Sequence, residues 1–407
     1  MRSHRIEALA FALALVVGCG SGGSDDDSTS PPAGGDPVLA GGTAPGGGSS
    51  GSLGTSATSA TLDCGGHGCG VTQIALGTIA ACALLEDATV ACYGGGIVGT
   101  LGRGVERPMI DPIPKRVAGL SNVAKVFGGG YTMCAVLRDG SVSCWGADQS
   151  QNPYGARPGE LFTVEGLTNV QDLAVSTSHS CALVDGGDLY CFGSNYFGEL
   201  GDGTTNNSKR ALKVPGVSGA KHVATGAEVT CAVIASGGVS CWGMNDHGQL
   251  GQGDEDKLVH SDPVAVSGLD GPAVSVAASS ESGAVCALLE SGTSKCWGEK
   301  LAVATGPLSG AALAVGWNHA CALDPAGTVA CWGANTKGQL GGGSNAPVTA
   351  PVSIAGLGGA AHLVTGGNSS CVVLGAGSFA CWGDDSRGQL GSGRIGPIEP
   401  VPQKRHF

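Results

Sequence analysis

The sequence predicts an all-β fold, a seven-bladed propeller, from its glycine content, its cysteine spacing and its repeat length. Glycine supplies 74 of the 407 residues and only 13% are charged, which is typical of short strands joined by tight turns, because glycine readily adopts the positive φ that turns need. Seven cysteine pairs have a spacing of ten positions, and successive pairs follow at intervals of 35 to 55 residues, the range of propeller blades. The pairs are Cys82 and Cys92, Cys134 and Cys144, Cys181 and Cys191, Cys231 and Cys241, Cys286 and Cys296, Cys321 and Cys331, and Cys371 and Cys381.

Each cysteine pair flanks a candidate β-hairpin. Between Cys321 and Trp332, small or apolar residues occupy both alternating positions on either side of a Pro-Ala-Gly turn. Such a hairpin is buried on both faces. A sheet buried on both faces in every repeat has to lie between two similar sheets, and a ring of blades achieves this without open ends. A linear solenoid is the alternative.

The two ends of the repeat region favour the ring. A short strand such as residues 351–354 follows a hairpin and leads into the next one, whereas only linker precedes the first hairpin. One further strand, residues 397–401, follows the last hairpin. We therefore expect a propeller closed by the C-terminal strand, which would complete the first blade. A solenoid would need polar caps at both ends, and the sequence contains none.

Four copies continue after the hairpin with Gly-Glu-Leu-Gly or Gly-Gln-Leu-Gly, at residues 198–201, 248–251, 338–341 and 388–391. With the preceding Cys-Ala-Leu and Cys-Trp-Gly sequences, this pattern resembles the repeat of the regulator of chromosome condensation family, from about residue 70 to the C-terminus. The resemblance implies a seven-bladed propeller and a structural role for His179 and His319. It is weaker in the first copy, in the second at residues 149–160, and in the fifth at residues 299–306.

The hairpin cysteines are expected to form disulfides. Residues that face each other in an antiparallel pair have Cα atoms roughly 4.5–5.5 Å apart, which suits a disulfide, and an oxidising compartment would favour it. Reduced thiols packed as small hydrophobic side chains are the alternative. Cys64 and Cys69 are expected to form one further pair. The alternative there is a zinc site that includes His67, although no fourth ligand is evident.

The N-terminus has the features of a secretory signal peptide. Residues 1–18 combine Arg2 and Arg5 with an apolar run that is too short to span a bilayer, as in a signal peptide. The sequence that ends at Cys19 resembles a bacterial lipobox, which implies lipidation of Cys19; an ordinary cleaved signal peptide is the alternative. Residues 19–62 are a flexible Gly/Ser/Pro linker, and residues 63–407 form the propeller. We expect a cell-envelope lipoprotein, with Gly20 favouring the outer membrane.

The sequence contains no metalloprotease, P-loop, dinucleotide or nucleophile-elbow motif. We therefore expect no catalysis, no cofactor and no metal site, and solvated turns for acidic clusters such as residues 254–256. A formal net charge of -12 argues against nucleic-acid binding.

The expected function is binding of an unknown protein or glycan at the cell envelope by a monomer, through loops on one rim of the propeller. The candidate residues are side chains in these loops or in variable inserts that the repeat pattern does not explain. They are Trp317, Asn318, Tyr131, Glu228, Asn368, Tyr154, Tyr196 and Phe197. The alternatives are a guanine-nucleotide-exchange-like regulator, which the resemblance suggests, an envelope enzyme with a site in the central channel, and a passive structural repeat protein.

Overall fold

A computed structural model describes residues 62, 69–104, 109–146, 159–298 and 312–407, which contain strands and turns but no helix. The strands of the first four sheets are β1 (Val71–Leu76), β2 (Ala80–Leu85), β3 (Val90–Gly95), β4 (Ile110–Arg116), β5 (Val123–Gly129), β6 (Thr132–Leu137), β7 (Val142–Gly146), β8 (Phe162–Thr163), β9 (Val170–Val175), β10 (His179–Val184), β11 (Leu189–Gly193), β12 (Ser208–Lys213), β13 (His222–Thr225), β14 (Val229–Val233), β15 (Val239–Met244) and β16 (Val259–Ala265). Those of the last three are β17 (Ala273–Ala278), β18 (Val285–Leu289), β19 (Ser294–Trp297), β20 (Ala312–Val315), β21 (His319–Leu323), β22 (Val329–Gly333), β23 (Val348–Ser353), β24 (His362–Gly366), β25 (Ser369–Val373), β26 (Phe379–Asp384) and β27 (Ile398–Arg405).

Consecutive strands form seven antiparallel sheets, which we number as blades 1 to 7. Blade 5 has three strands (β17–β19) within the described residues, and each other blade has four. The first strand of each blade packs against the first strand of the next, and β24 of blade 7 packs against β1 of blade 1. The first strands therefore surround a central axis, and the predicted seven-bladed propeller is confirmed.

The prediction that the C-terminal strand completes blade 1 was wrong. β27 pairs with β26 inside blade 7, and blade 1 has its own first strand, β1. Every four-stranded blade thus takes its inner strand from before its hairpin and its outer strand from after it. The ring closes by contacts between complete sheets, including hydrogen bonds from Val71 N to Gly377 O (2.9 Å) and from Cys69 N to Phe407 O (3.2 Å).

The hairpin cysteines face each other in register in all seven blades, with their sulfur atoms at bonding distance. The first cysteine of each pair lies on the second strand of its blade and the other on the third strand. In order from blade 1 to blade 7, Cys82 faces Cys92, Cys134 faces Cys144, Cys181 faces Cys191, Cys231 faces Cys241, Cys286 faces Cys296, Cys321 faces Cys331 and Cys371 faces Cys381.

The separation expected within these cysteine pairs was too large. Their Cα atoms lie 4.0–4.1 Å apart, closer than the expected spacing of roughly 4.5–5.5 Å. In blade 3, Val184 N donates to Asp188 O, so the alternation of an antiparallel ladder makes Cys181 and Cys191 a non-hydrogen-bonded pair. Strands approach each other most closely at such pairs.

A tryptophan after the second hairpin cysteine joins each of several blades to the preceding one. In blade 4, Trp242 Nε1 donates to Glu199 O of blade 3 (2.8 Å), and the Thr230 hydroxyl donates to the same carbonyl (2.8 Å). His179 Nε2 lies 2.7 Å from Thr230 Oγ1, and because that hydroxyl already donates to Glu199, the imidazole is its donor. Burial lowers the pKa of His179 to about 3, so the ring stays neutral and serves as a structural link.

The same arrangement recurs between blades 6 and 7, where Trp382 and Ser370 both donate to Gln339 O and His319 contacts the Ser370 hydroxyl. Trp332 in blade 6 differs, because its indole nitrogen is buried and has no hydrogen-bond partner among the described residues. The preceding blade 5 lacks the Gly-Gln-Leu-Gly sequence that supplies the carbonyl elsewhere. Its corresponding segment, residues 299–311, lies outside the described residues.

This difference predicts unequal effects of one substitution at two equivalent sites. Trp242→Phe and Trp332→Phe both replace a fully buried indole by a smaller phenyl ring. Among the described residues, only Trp242→Phe also removes a hydrogen bond, the one to Glu199 O. We expect Trp242→Phe to lower the free energy of unfolding by about 1 kcal/mol more than Trp332→Phe does. Urea unfolding of the two variants measures this difference, and equal losses would contradict the proposed role of the indole bond.

Candidate functional site

The loops between the first and second strands, here called the AB loops, lie on one face of the propeller. The turns between the third and fourth strands, here called the CD turns, lie on the same face because strand direction alternates within each blade. A direct contact supports this placement, since Gln339 Nε2 in the CD turn of blade 6 donates to Asn368 Oδ1 in the AB loop of blade 7 (3.1 Å). We call this surface the AB face.

Neighbouring AB loops bond to one another around the ring. The bonds are Thr78 N to Gly130 O (2.7 Å), Ser178 Oγ to Ala227 O (3.0 Å), Ser282 Oγ to Trp317 O (3.1 Å) and Trp317 N to Gly367 O (2.9 Å). Between blades 2 and 3 the backbones come so close that a Cβ on Gly130, which has φ +55°, would lie 2.6 Å from Thr177 Cα. Glycine is therefore required there, and these contacts fix the loop backbones of the AB face.

The AB loop of blade 5 crosses the centre of this face. It has six residues between Ala278 and Val285, whereas the other AB loops have two or three. Its Glu281 carboxylate accepts a hydrogen bond from the Thr78 hydroxyl of blade 1, and its Ser280 carbonyl accepts one from Thr177 Oγ1 of blade 3 (2.8 Å). Because blades 1, 3 and 5 are not neighbours, this loop covers the axis. No motif in the sequence marks Glu281, although the greater length of this loop was a visible signal.

The predicted partner-binding residues that the structure describes all lie on the AB face. Trp317 (45% exposed) and Asn318 are on the AB loop of blade 6. Tyr131, Glu228 and Asn368 are half-buried on those of blades 2, 4 and 7.

The CD turn of blade 3 carries Tyr196, which is 52% exposed, and half-buried Phe197. The structure thus brings Trp317, Asn318 and Asn368 together on adjacent loops, while Tyr131 lies on the far side of the ring.

Three other predicted sites lie wholly or partly outside the described residues. They are the binding residue Tyr154, the lipidation site Cys19 and the pair of Cys64 with Cys69, of which Cys64 is outside. Cys69 is described and is disulfide-bonded.

Two carboxyl groups on neighbouring blades of the AB face, Glu199 and Glu228, have raised pKa values. Burial raises the pKa of Glu199 to about 7, and the nearby Glu228 carboxylate adds to this, while the Phe197 backbone N–H, which donates to Glu199 (2.9 Å), opposes it. Burial also raises the pKa of Glu228, with a further contribution from the Asp246 carboxylate that His247 partly offsets. This sector of the face therefore concentrates acidic groups of blades 3 and 4.

Glu199 makes the stability of the protein depend on pH. Its native pKa of about 7 exceeds the value of 4.5 for the free side chain, so the native state holds the proton more tightly and the free energy of unfolding falls as pH rises through this interval. Three other copies have Gln at this position, namely Gln249, Gln339 and Gln389. We expect Glu199→Gln to remove this fall and to raise the free energy of unfolding at pH 8 by about 1–3 kcal/mol.

Urea unfolding at pH 4 and pH 8 measures the effect, with Glu290→Gln on an exposed turn as the matched control. At pH 4 the Glu199→Gln variant and the wild type should have similar stability. The same pH dependence in Glu199→Gln and wild type would contradict the assignment.

Within the described residues, no group of three or more His, Cys, Asp or Glu side chains is arranged to hold a metal ion. Asp256 instead accepts hydrogen bonds from Asn245 (3.0 Å) and the Leu258 N–H (2.8 Å). Asp202 caps its own turn by accepting the Thr204 N–H (3.0 Å). The described part of the chain also has no helix of the length and apolarity needed to cross a membrane.

Comparison with known proteins agrees with this geometry. The family model "Regulator of chromosome condensation (RCC1) repeat" matches residues 186–233, 236–286 and 326–374, and a second model of the same repeat matches residues 170–199 and 311–339. The chain is 32% identical over 155 residues to the human E3 ubiquitin-protein ligase HERC2, covering 35% of this chain and 3% of that protein. It is 32% identical over 146 residues to a bovine secretion-regulating guanine nucleotide exchange factor, covering 33% of this chain and 31% of that protein.

The chain thus spans less than a third of the length of these relatives. Among solved structures, Prp20p from Saccharomyces cerevisiae, studied for its binding to Gsp1p and histones, superposes with a TM-score of 0.50 and 18% identity. That match covers 82% of this chain and 76% of Prp20p, and it supports the fold alone. The chain therefore carries repeats of the regulator of chromosome condensation family, folded as a seven-bladed β-propeller.

Proposed function

We propose that this protein is a lipid-anchored, non-enzymatic binding module of the cell envelope, and that its AB face captures a protein or glycan partner. The observation that carries the proposal is the position of Trp317. Four tryptophans at the repeat position, Trp145, Trp242, Trp332 and Trp382, are fully buried between blades, whereas Trp317 is 45% exposed on an AB loop. The packing of the repeat does not account for an exposed aromatic there.

The loop that carries Trp317 is held in place before any partner arrives. Its backbone N–H donates to Gly367 and its carbonyl accepts from Ser282 Oγ, so both neighbouring blades hold it. Aromatic side chains on rigid backbones lose little conformational entropy on binding and often dominate the energy of an interface. Asn318 and Asn368 lie beside it and offer polar groups for the edge of such an interface.

The relatives support a binding role in general terms. The bovine relative is named as a secretion-regulating guanine nucleotide exchange factor. Residues 1–19, with their apolar run and terminal Cys19, favour an exported protein over a cytosolic regulator. We therefore place the partner of this chain at the envelope, and the acidity of the chain makes a nucleic acid an unsuitable ligand.

Trp317→Ala tests the binding surface. Detergent-purified full-length wild type should recover a specific partner from an envelope extract, and Trp317→Ala should recover at least about tenfold less, the usual loss when an interface anchor is truncated. Val401→Ala, which changes a side chain of similar exposure on the outer strand of blade 7, should recover as much as wild type. Equal recovery by all three proteins would reject the role of Trp317.

The lipid anchor is tested separately. Cells that express the full chain in the presence of a labelled fatty acid should yield a labelled protein in the membrane fraction. Cys19→Ala should remove the label and release the protein from membranes, because a stable anchor requires the acyl chains. Label retained on the Cys19→Ala protein would show that Cys19 is not the attachment site.

A further inference from the structure

A cavity opens between blades 1 and 2 on the face opposite the AB loops. One wall is the loop between β4 and β5, another is the turn between β6 and β7, and the third contains Ser143 of β7 and Thr163 of β8. Because strand direction alternates within each blade, these connections lie at the end remote from the AB face. The volume of this space, here called the blade 2 cavity, is about 630 Å³, within the range of roughly 300–1,000 Å³ that small-molecule pockets have.

Three leucines form the apolar part of the blade 2 cavity. Leu120 belongs to the loop after β4, Leu137 ends β6, and Leu161 immediately precedes β8. Leu120 is buried, whereas Leu137 and Leu161 are half-buried, so part of their apolar surface faces the open space. A ligand with an apolar group gains free energy by removing this surface from water.

A small residue of the third strand, Ser143, leaves this space unfilled. It stands one position before the second hairpin cysteine, where blade 3 has Tyr190 and blade 5 has Lys295. Tyr190 packs against the apolar core between blades 2 and 3. In blade 5, Lys295 Nζ donates to Gly268 O and lies 3.5 Å from Asp270 Oδ2, in the loop that corresponds to the first wall of the blade 2 cavity. The fold thus accepts a large side chain at this position, and blade 2 lacks one.

Arg138 and Asp139 place opposite charges side by side at the opening of the cavity, where both side chains are exposed. Asp139 Oδ1 accepts hydrogen bonds from Ser141 Oγ (2.6 Å) and Ser141 N (2.9 Å), which leaves Oδ2 without a partner among the described residues. These bonds lower the pKa of Asp139, so its carboxylate is ionised at neutral pH. Within the described part of the chain, the Arg138 guanidinium makes no hydrogen bond or ion pair. Both charges are therefore available to a ligand.

We propose that the blade 2 cavity binds an apolar α-amino acid, such as leucine or phenylalanine, as its zwitterion. The α-carboxylate of the ligand accepts hydrogen bonds from the Arg138 guanidinium, whose fork of N–H donors matches a carboxylate. The α-ammonium donates to Asp139 Oδ2, and the apolar side chain of the ligand lies against the three leucines. The Ser143 hydroxyl can donate to the ligand or accept from it.

The pair of opposite charges favours a zwitterion over other small molecules. A ligand that lacks its ammonium or its carboxylate leaves either Asp139 or Arg138 without a counter-charge. A ligand with a charged side chain would place that charge against the leucines, at a cost in desolvation. The cavity lies on the face opposite Trp317, so this site does not depend on the function proposed above.

Binding of defined amino acids to the detergent-purified full-length protein tests the proposal. The probes are leucine and phenylalanine, measured by titration calorimetry and ligand-observed NMR, and we expect saturable binding of at least one. The N-acetyl and amide derivatives of that probe should each bind about fivefold more weakly, which is the effect of losing one exposed ion pair. Glycine should bind more weakly still, because it buries no apolar side chain.

Two substitutions locate the site, each with a matched control. Arg138→Gln should weaken binding about fivefold, and Ser143→Tyr should abolish it because the new ring would occupy the cavity. Arg394→Gln makes the same change at an exposed turn of blade 7, and Ser240→Tyr does so at the equivalent position of blade 4. Both controls should bind like wild type, and thermal unfolding verifies that all four variants fold.

Three results would overturn the proposal. The first is the absence of saturable binding of leucine and phenylalanine to the wild type. The second is equal affinity for the probe and its two derivatives, which would remove the role of the paired charges. The third is wild-type affinity in Arg138→Gln, whose exposed position makes a folding defect unimportant, or equal weakening by the control variants.

Discussion

Burial of every sheet on both faces is the constraint on which the rest of this structure depends. The hairpin strands are apolar on both sides, so a single blade is unstable until a neighbour covers each of its faces. The contacts between blades are also directional. Trp242 and Thr230 of blade 4 converge on the carbonyl of Glu199 in blade 3, with His179 bonded to the same hydroxyl. The packing of sheet on sheet, repeated around seven blades, leaves no uncovered face.

The hairpin disulfides stabilise each blade separately, in contrast to the contacts between blades. Each pair closes a loop within a single blade, which restricts the unfolded chain and does not link one blade to another. The junction between the two ends of the ring is therefore non-covalent within the described residues. Phe407 packs at this junction, with its ring centroid 5.4 Å from that of Tyr93 in blade 1 and 4.8 Å from that of Phe379 in blade 7.

Ring closure gives the two ends of the axis different properties. On one face it brings seven loops into contact, and the longer loop of blade 5 spans the centre, so a partner would meet a continuous surface that includes Trp317. At the opposite end the first strands carry polar residues at equivalent register positions, among them His222 and Ser275.

The sequence by itself determined the repeat unit. Hairpins and cysteine pairs could be predicted because their contacts join residues about ten positions apart, and strand alternation shows in so short a segment. It also indicated which loops precede the hairpins and that Trp317 departs from the repeat. The strand Val71–Leu76 was missed because it carries no cysteine or turn signal, and this error led to the wrong mode of ring closure.

Only the tertiary structure decided how distant residues meet. The bond between Thr78 and Glu281 joins residues 203 positions apart, and no local pattern in the sequence pairs them. The first strands give a stronger case, because the residues that they bring to one level around the axis differ in type and share only their position opposite a hairpin. Contacts within a hairpin follow from local chain geometry, whereas contacts across the axis exist only after all seven blades have closed the ring.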